Sequence, residues 1–154
     1  MIEGEAALLQ QPLFAGLAPE LAVSLTDGVR ALHFEAGTRL FQEGGAADEF
    51  FLIRAGVVGL ETRIPGRGAV LFATLGAGEM LGVSWLVPPY RWCFDARALA
   101  TARCFGVDAR RLRALCDQDH DLGYELLRRL SAQLVRRLHD TRLQMLDVYR
   151  SPRR

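Results

Sequence analysis

The chain has 154 residues, 50% of them hydrophobic and 24% charged, a balance that supplies one domain-sized core and leaves no material for a second. The formal net charge is +1, and no stretch approaches the roughly eighteen consecutive apolar residues of a membrane span, so neither a bilayer helix nor a globally basic nucleic-acid binder is expected. Cys93, Cys104 and Cys116 are odd in number and far apart, with no CxxC pair and no histidine beside them at ligand spacing. A disulfide framework and a zinc site are both unsupported.

Met1 to Gln10 carries Glu3 and Glu5 and lacks the basic start and long apolar run of a secretion signal, so a cytoplasmic location is expected. Gln11-Pro12 closes a first short helix, and Pro19 opens a second whose apolar positions are Leu21, Val23, Leu25 and Val29. Residues 1–30 therefore read as peripheral helices. Between 31 and 108 the pattern changes to short apolar or alternating runs: Arg39-Leu-Phe-Gln, Glu49-Phe-Phe-Leu-Ile, Val57-Val-Gly-Leu-Glu-Thr, Ala69-Val-Leu-Phe-Ala-Thr-Leu and Arg103-Cys-Phe-Gly-Val. Glycine-bearing turns separate them, which predicts about eight antiparallel strands in a jelly-roll-like closure.

Helical periodicity returns after Asp108. A short helix is expected over Ala109 to Cys116, a polar break at residues 117–121, and a long helix from about Leu122 to Tyr149, followed by a basic tail at 150–154. The whole of 1–149 is read as one domain, mainly β with flanking helices. Charge follows the same division: residues 1–127 hold 11 arginines against 16 acidic residues, while 128–154 hold 8 against 2. In the long helix Leu122, Leu126, Leu130, Leu134 and Leu138 fall four apart, a stripe too broad for a solvated helix. At 1.5 Å per residue the helix runs roughly 40 Å and outreaches a barrel of this size, so Leu127, Leu130, Leu134, Leu138 and Met145 are expected to form the seam of a homodimer.

Five runs of residues carry a resemblance. Pro12-Leu-Phe-Ala-Gly-Leu is followed by Phe34-Glu-Ala-Gly-Thr-Arg-Leu-Phe-Gln-Glu-Gly44 and by Ala47-Asp-Glu-Phe-Phe-Leu-Ile-Arg-Ala-Gly56; Leu75-Gly-Ala-Gly-Glu-Met-Leu-Gly82 and Gly106-Val-Asp108 come later. From about Pro12 to Leu146 the chain resembles the cyclic nucleotide-binding domain of the catabolite activator and FNR superfamily. The resemblance implies an eight-stranded β-roll with flanking helices and a phosphate-binding cassette that forms a short helix after Gly82, whose free amides suit an anion.

It also implies two side chains that this sequence lacks. The glutamate that would bind the ribose hydroxyl falls at Val83, and the arginine that would pair the cyclic phosphate falls at Trp92 or Cys93, beside rather than at Arg91. A hydrogen bond to a charged group is worth about 1.5–3 kcal/mol, so losing both partners weakens binding on the order of 10² to 10⁴. The candidate ligand-binding residues are Gly82, Val83, Ser84, Trp85, Leu86, Arg91, Trp92, Cys93 and Phe94. Their apolar and aromatic character suits a flat, weakly charged ligand, or a pocket plugged by Trp85 and Trp92.

No nucleophile with a base, paired carboxylates or Walker loop is present, so no catalytic residue is expected. His33, His120 and His139 stand apart from one another, and no metal or haem role is expected. Asp95 and Arg97 share one strand face and are expected to pair. Iron–sulfur sensing needs an N-terminal cysteine cluster, whereas the first cysteine here is Cys93. The helix-turn-helix that follows the long helix in family transcription factors does not lie within these residues, so direct DNA contact is not expected. The expectation is a regulatory module acting through a protein partner, binding an atypical ligand or none. A cAMP or cGMP sensor using Arg91 and backbone amides, and a purely structural interaction subunit, are the alternatives.

Overall fold

A computed structural model describes residues 4–150. Two short helices, α1 (Glu5–Leu9) and α2 (Pro19–Thr26), precede eight strands: β1 (Val29–Phe34), β2 (Arg39–Phe41), β3 (Glu49–Ala55), β4 (Val58–Ile64), β5 (Gly68–Leu75), β6 (Met80–Leu81), β7 (Asp95–Ala98) and β8 (Ala102–Asp108). Helices α3 (Ala109–Gln118) and α4 (His120–Arg150) follow the strands. The strands form two four-stranded antiparallel sheets, ordered β1-β8-β3-β6 and β2-β7-β4-β5. Apart from the β4–β5 hairpin, consecutive strands switch between the sheets, the winding of a β-roll.

The core lies between the sheets and under the helices. Phe50, Leu52 and Ile53 of β3, Leu60 of β4, Ala96 and Ala98 of β7 and Phe105 of β8 are almost fully buried. β3 is buried on both faces because α3 and the N-terminal turn around Leu13 and Phe14 cover its outer side, so its near-continuous apolar run replaces simple alternation. The Asp108 carboxylate accepts from the Arg111 amide and caps α3, fixing where the roll ends and helix begins.

The long helix divides by length. Leu122, Leu126 and Leu130 pack into the chain's own core. Leu127, Leu134, Leu138 and Met145 stay exposed, and beyond Gln133 no α4 side chain with a described burial is fully covered. The expected seam thus loses one member: Leu130 is 1% exposed and belongs to the intramolecular core, because it lies on the Leu122–Leu126 face of the helix. A second correction concerns Asp95 and Arg97, which do not pair with each other. Asp95 is buried and lies 3.8 Å from Arg63, while Arg97 pairs with Glu61 at 3.3 Å, because β4 sits beside β7 and presents opposite charges across the strands.

Gly56, in the β3–β4 turn, has φ +94°, and a Cβ there would sit 2.3 Å from the Thr101 carbonyl oxygen and 2.7 Å from the Ala102 Cα. Gly37 has φ +89° with nothing near its missing Cβ. Gly56→Ala is therefore expected to destabilise the fold by at least ~2 kcal/mol and Gly37→Ala by about 1 kcal/mol, strain alone. Urea denaturation of the two variants checks the order.

Candidate functional site

The cassette begins where β6 ends. Gly82 has φ +83°, and a Cβ on it would lie 2.1 Å from Cζ3 of Trp92. Only a glycine lets the indole come this close. The other ring in the contact is Phe41 of β2, whose centroid is 3.8 Å from that of Trp92 at an interplanar angle of 9°. Phe51 stacks on the far side of Phe41 with centroids 6.1 Å apart, and Phe94 tilts against Phe41 at 5.8 Å. Phe72 of β5 meets Phe94 edge-on at 5.8 Å. The rings beside the cassette form a run with Phe41 at its centre and Trp92, 5% exposed, at the end that meets Gly82.

The backbone pins the indole there. The Trp92 amide donates to the Gly45 carbonyl at 2.9 Å, the Gly44 amide donates to the Trp92 carbonyl at 2.8 Å, and the Ala47 amide donates to the Tyr90 carbonyl at 2.7 Å. An isolated bridge pairs Ala46 with Arg91. With Trp92 turned inward, alternation sends Arg91 outward. Its guanidinium donates to the Gly44 carbonyl at 2.9 Å and is exposed. Arg91 is the one charged side chain between Gly82 and Phe94, so the described cassette turns no ionised group toward Gly82.

The remaining candidates separate into two groups. Ser84 and Cys93 face each other at the rim, with the Ser84 hydroxyl 3.8 Å from the Cys93 sulfur and the Cys93 thiol 3.8 Å from the Arg91 carbonyl. Val83, Leu86 and Phe94 are half-buried against the core. Trp85 is not part of the pocket wall: it is 1% exposed and stacks on Phe50 at 4.5 Å, on the side of the cassette that meets α3. Its indole N–H has no partner among the described residues.

The expected cassette helix does not form. Residues 83–89 are turns and bends, closed by bonds from the Leu86 amide to the Val83 carbonyl at 3.1 Å and from the Tyr90 amide to the Val87 carbonyl at 3.0 Å. Pro88 and Pro89 explain this: Pro88 disfavours helical backbone at Val87, and neither proline has an N–H to donate. A helix starting at Val83 would end within a turn, too short to gather amides around an anion. The loop is held instead by Arg113 of α3, which donates to the Trp85 carbonyl and lies 4.1 Å over the Tyr90 ring. Nothing in the spacing of the sequence singles out Arg113 or Phe41 as the partners of this loop, although Phe41 lies within the Leu-Phe framework that carries the resemblance.

Cys104 is buried and Cys116 half-buried, and neither thiol is activated. Burial pushes Cys104 up to about 12, and burial followed by Asp117 and Asp119 raises Cys116, so both stay protonated at neutral pH.

The family model for the cyclic nucleotide-binding domain matches residues 31–119, from β1 to the end of α3. The chain belongs to the cyclic nucleotide-binding domain family. Its β-roll, N-terminal helices and long C-terminal helix are those of the catabolite activator and FNR superfamily. A CRP-like cAMP-activated global transcriptional regulator of Mycobacterium tuberculosis is 26% identical over 141 residues, covering 92% of this chain and 61% of that protein. The chain thus spans about three fifths of the length of the curated relatives it matches. The catabolite activator protein of Thermus thermophilus superposes with a TM-score of 0.66 at 27% identity over 90% of this chain and 62% of that one. A cyclic nucleotide-binding domain from Methylobacillus flagellatus KT gives 0.80 at 21% identity over 94% of this chain and 84% of that one, a likeness of fold.

Proposed function

We propose that this member of the family is a non-enzymatic regulatory domain whose cassette is filled by its own Trp92, so that cyclic nucleotides bind weakly or not at all, and whose output passes through α4 to a second copy and a protein partner. The observation that carries the reading is the contact between Trp92 and Gly82. A glycine at the start of the cassette leaves room for a ligand to approach the backbone closely. Here an indole fills it, with a further cost of roughly 2–3 kcal/mol to bring that side chain back into water. Val83 offers no carboxylate and Cys93 no cation, which supports the same conclusion from the chemistry of the partners.

The alternative that Arg91 completes a nucleotide site requires its guanidinium to leave the Gly44 carbonyl and cross to the opposite face of its segment. That movement breaks the backbone bonds that seat Trp92. Isothermal titration of the protein with cAMP and cGMP is expected to give dissociation constants no tighter than about 100 µM, the low-affinity end that follows from two missing charged partners. Low-micromolar binding that Arg91→Ala abolishes would overturn the reading in favour of a nucleotide sensor.

The dimer rests on Leu127, Leu134, Leu138 and Met145. Their spacings of seven, four and seven residues return each side chain to one face of α4, and all four are exposed in the single chain. Leu134→Arg places a charge in the middle of that seam, where an unpaired ion costs several kcal/mol, yet in the monomer the position is already 39% exposed. The variant is expected to stay folded and scatter light as a monomer while the parent sequence scatters as a dimer. A monomeric parent would remove the dimer from the proposal.

A further inference from the structure

Outside the cassette, α4 and the β5–β6 turn enclose a recess of about 230 Å³ lined by Pro12, Gly78, Glu79, Gln133, Arg136 and Arg137, with Asp140 at the rim. The two chain segments are clamped together at its floor. Gln133 Oε1 accepts from the Met80 amide at 3.2 Å, and Arg137 Nη2 donates to the Met80 carbonyl at 2.7 Å. Met80 begins β6, two residues before Gly82, so the recess sits directly behind the strand that leads into the cassette.

The recess brings two guanidinia, Arg136 and Arg137, beside two carboxylates, Glu79 and Asp140, without an ion pair between them. Arg136 and Arg137 form no ion pair among the described residues, whereas eight other pairs are formed elsewhere in the molecule. Glu79, the acid nearest in effect to Arg137, spends one carboxylate oxygen on the Gly76 amide at 2.7 Å. Burial pushes the Arg137 guanidinium below its ordinary value, with Glu79 acting the other way. A partly buried guanidinium whose one hydrogen bond among the described residues goes to a neutral carbonyl keeps further N–H donors that an anion in the recess would engage. Two adjacent guanidinia offer a planar fork of donors suited to phosphoryl oxygens.

We infer that the recess formed by Gln133, Arg136 and Arg137 against the β5–β6 turn is a binding site for a small phosphate-bearing anion of diphosphate or phosphomonoester size, separate from the cassette. The volume of about 230 Å³ accommodates such an ion and lies below the roughly 300 Å³ at which pockets for drug-sized molecules start. At roughly 100° per residue, the face of α4 that carries Gln133, Arg136, Arg137 and Asp140 lies about 130° from the face that carries Leu134 and Leu138. The site therefore remains open when the seam is covered. A bound anion bridges α4 to the turn before β6 and tightens the Gln133 and Arg137 hydrogen bonds that tie the long helix to the strand entering the cassette.

Inorganic pyrophosphate is the probe, with melting curves recorded against potassium chloride at matched ionic strength to remove general screening. At ten times its dissociation constant it is expected to raise the melting temperature of the parent by roughly 3 °C. Arg136→Gln, at an exposed position that makes no hydrogen bond in the fold, is expected to keep the parent's melting temperature without ligand and to lose most of that shift. Asp140→Asn removes the carboxylate at the rim and is expected to reach the same shift at a lower pyrophosphate concentration. No shift beyond the chloride control, an equal shift in Arg136→Gln, or weaker binding by Asp140→Asn would each overturn the site.

Discussion

The stack of Trp92 between Phe41 and Gly82 is the contact on which the arrangement of the cassette depends. An offset aromatic pair adds about 0.5–1.5 kcal/mol to the burial of the rings themselves, and here the pair is extended on both sides, by Phe51 behind Phe41 and by the glycine backbone in front of the indole. Seating the ring fixes the alternation of its neighbours. Arg91 is turned out to the Gly44 carbonyl, and Cys93 is turned to the rim beside Ser84. In the function proposed above, this stretch serves as a hydrophobic closure: the family fold is kept and its ligand chemistry withdrawn.

Around that closure the structure keeps the connections by which a cassette communicates with the helices. Arg113 of α3 holds the Trp85 carbonyl and covers Tyr90, Trp85 itself is stacked on Phe50 in the core, and Gln133 and Arg137 of α4 grip both polar atoms of Met80. A displacement of the cassette is felt at α3 and α4 through hydrogen bonds as well as through packing. The exposed leucines of α4 lie further along the same helix, so a change in its seating is presented to whatever covers them. In the proposed function these connections carry the output of the domain, with no cyclic nucleotide as its input.

The roll was legible because its signals are local. Period-two apolar runs such as Glu49-Phe-Phe-Leu-Ile and turn glycines such as Gly56 and Gly82 act within a few residues, and the strands and turns appear where those signals lie. The missing carboxylate at Val83 was equally plain. What spacing could not settle was direction. Trp85 and Trp92 are both large aromatics in one loop, and only the backbone bonds of the Gly44–Gly45 turn, fifty residues away in sequence, determine that Trp92 enters the pocket and Trp85 the core. Leu130 was similarly ambiguous, since a stripe of leucines four apart drifts around a helix and its first members meet the barrel while later ones pass beyond it. The cassette helix failed for a reason visible in the sequence, Pro88-Pro89, whose effect on the preceding turn outweighed the family pattern.

The central claim, that Trp92 occupies the ligand's place, is tested most directly by its own fluorescence. The chain has two tryptophans, and Trp85→Phe, which keeps an aromatic ring against Phe50, leaves Trp92 as the one emitter. The account predicts blue-shifted emission, poor quenching by acrylamide, and no change on adding millimolar cAMP. Emission of a water-exposed indole, or a nucleotide-dependent shift toward one, would contradict it.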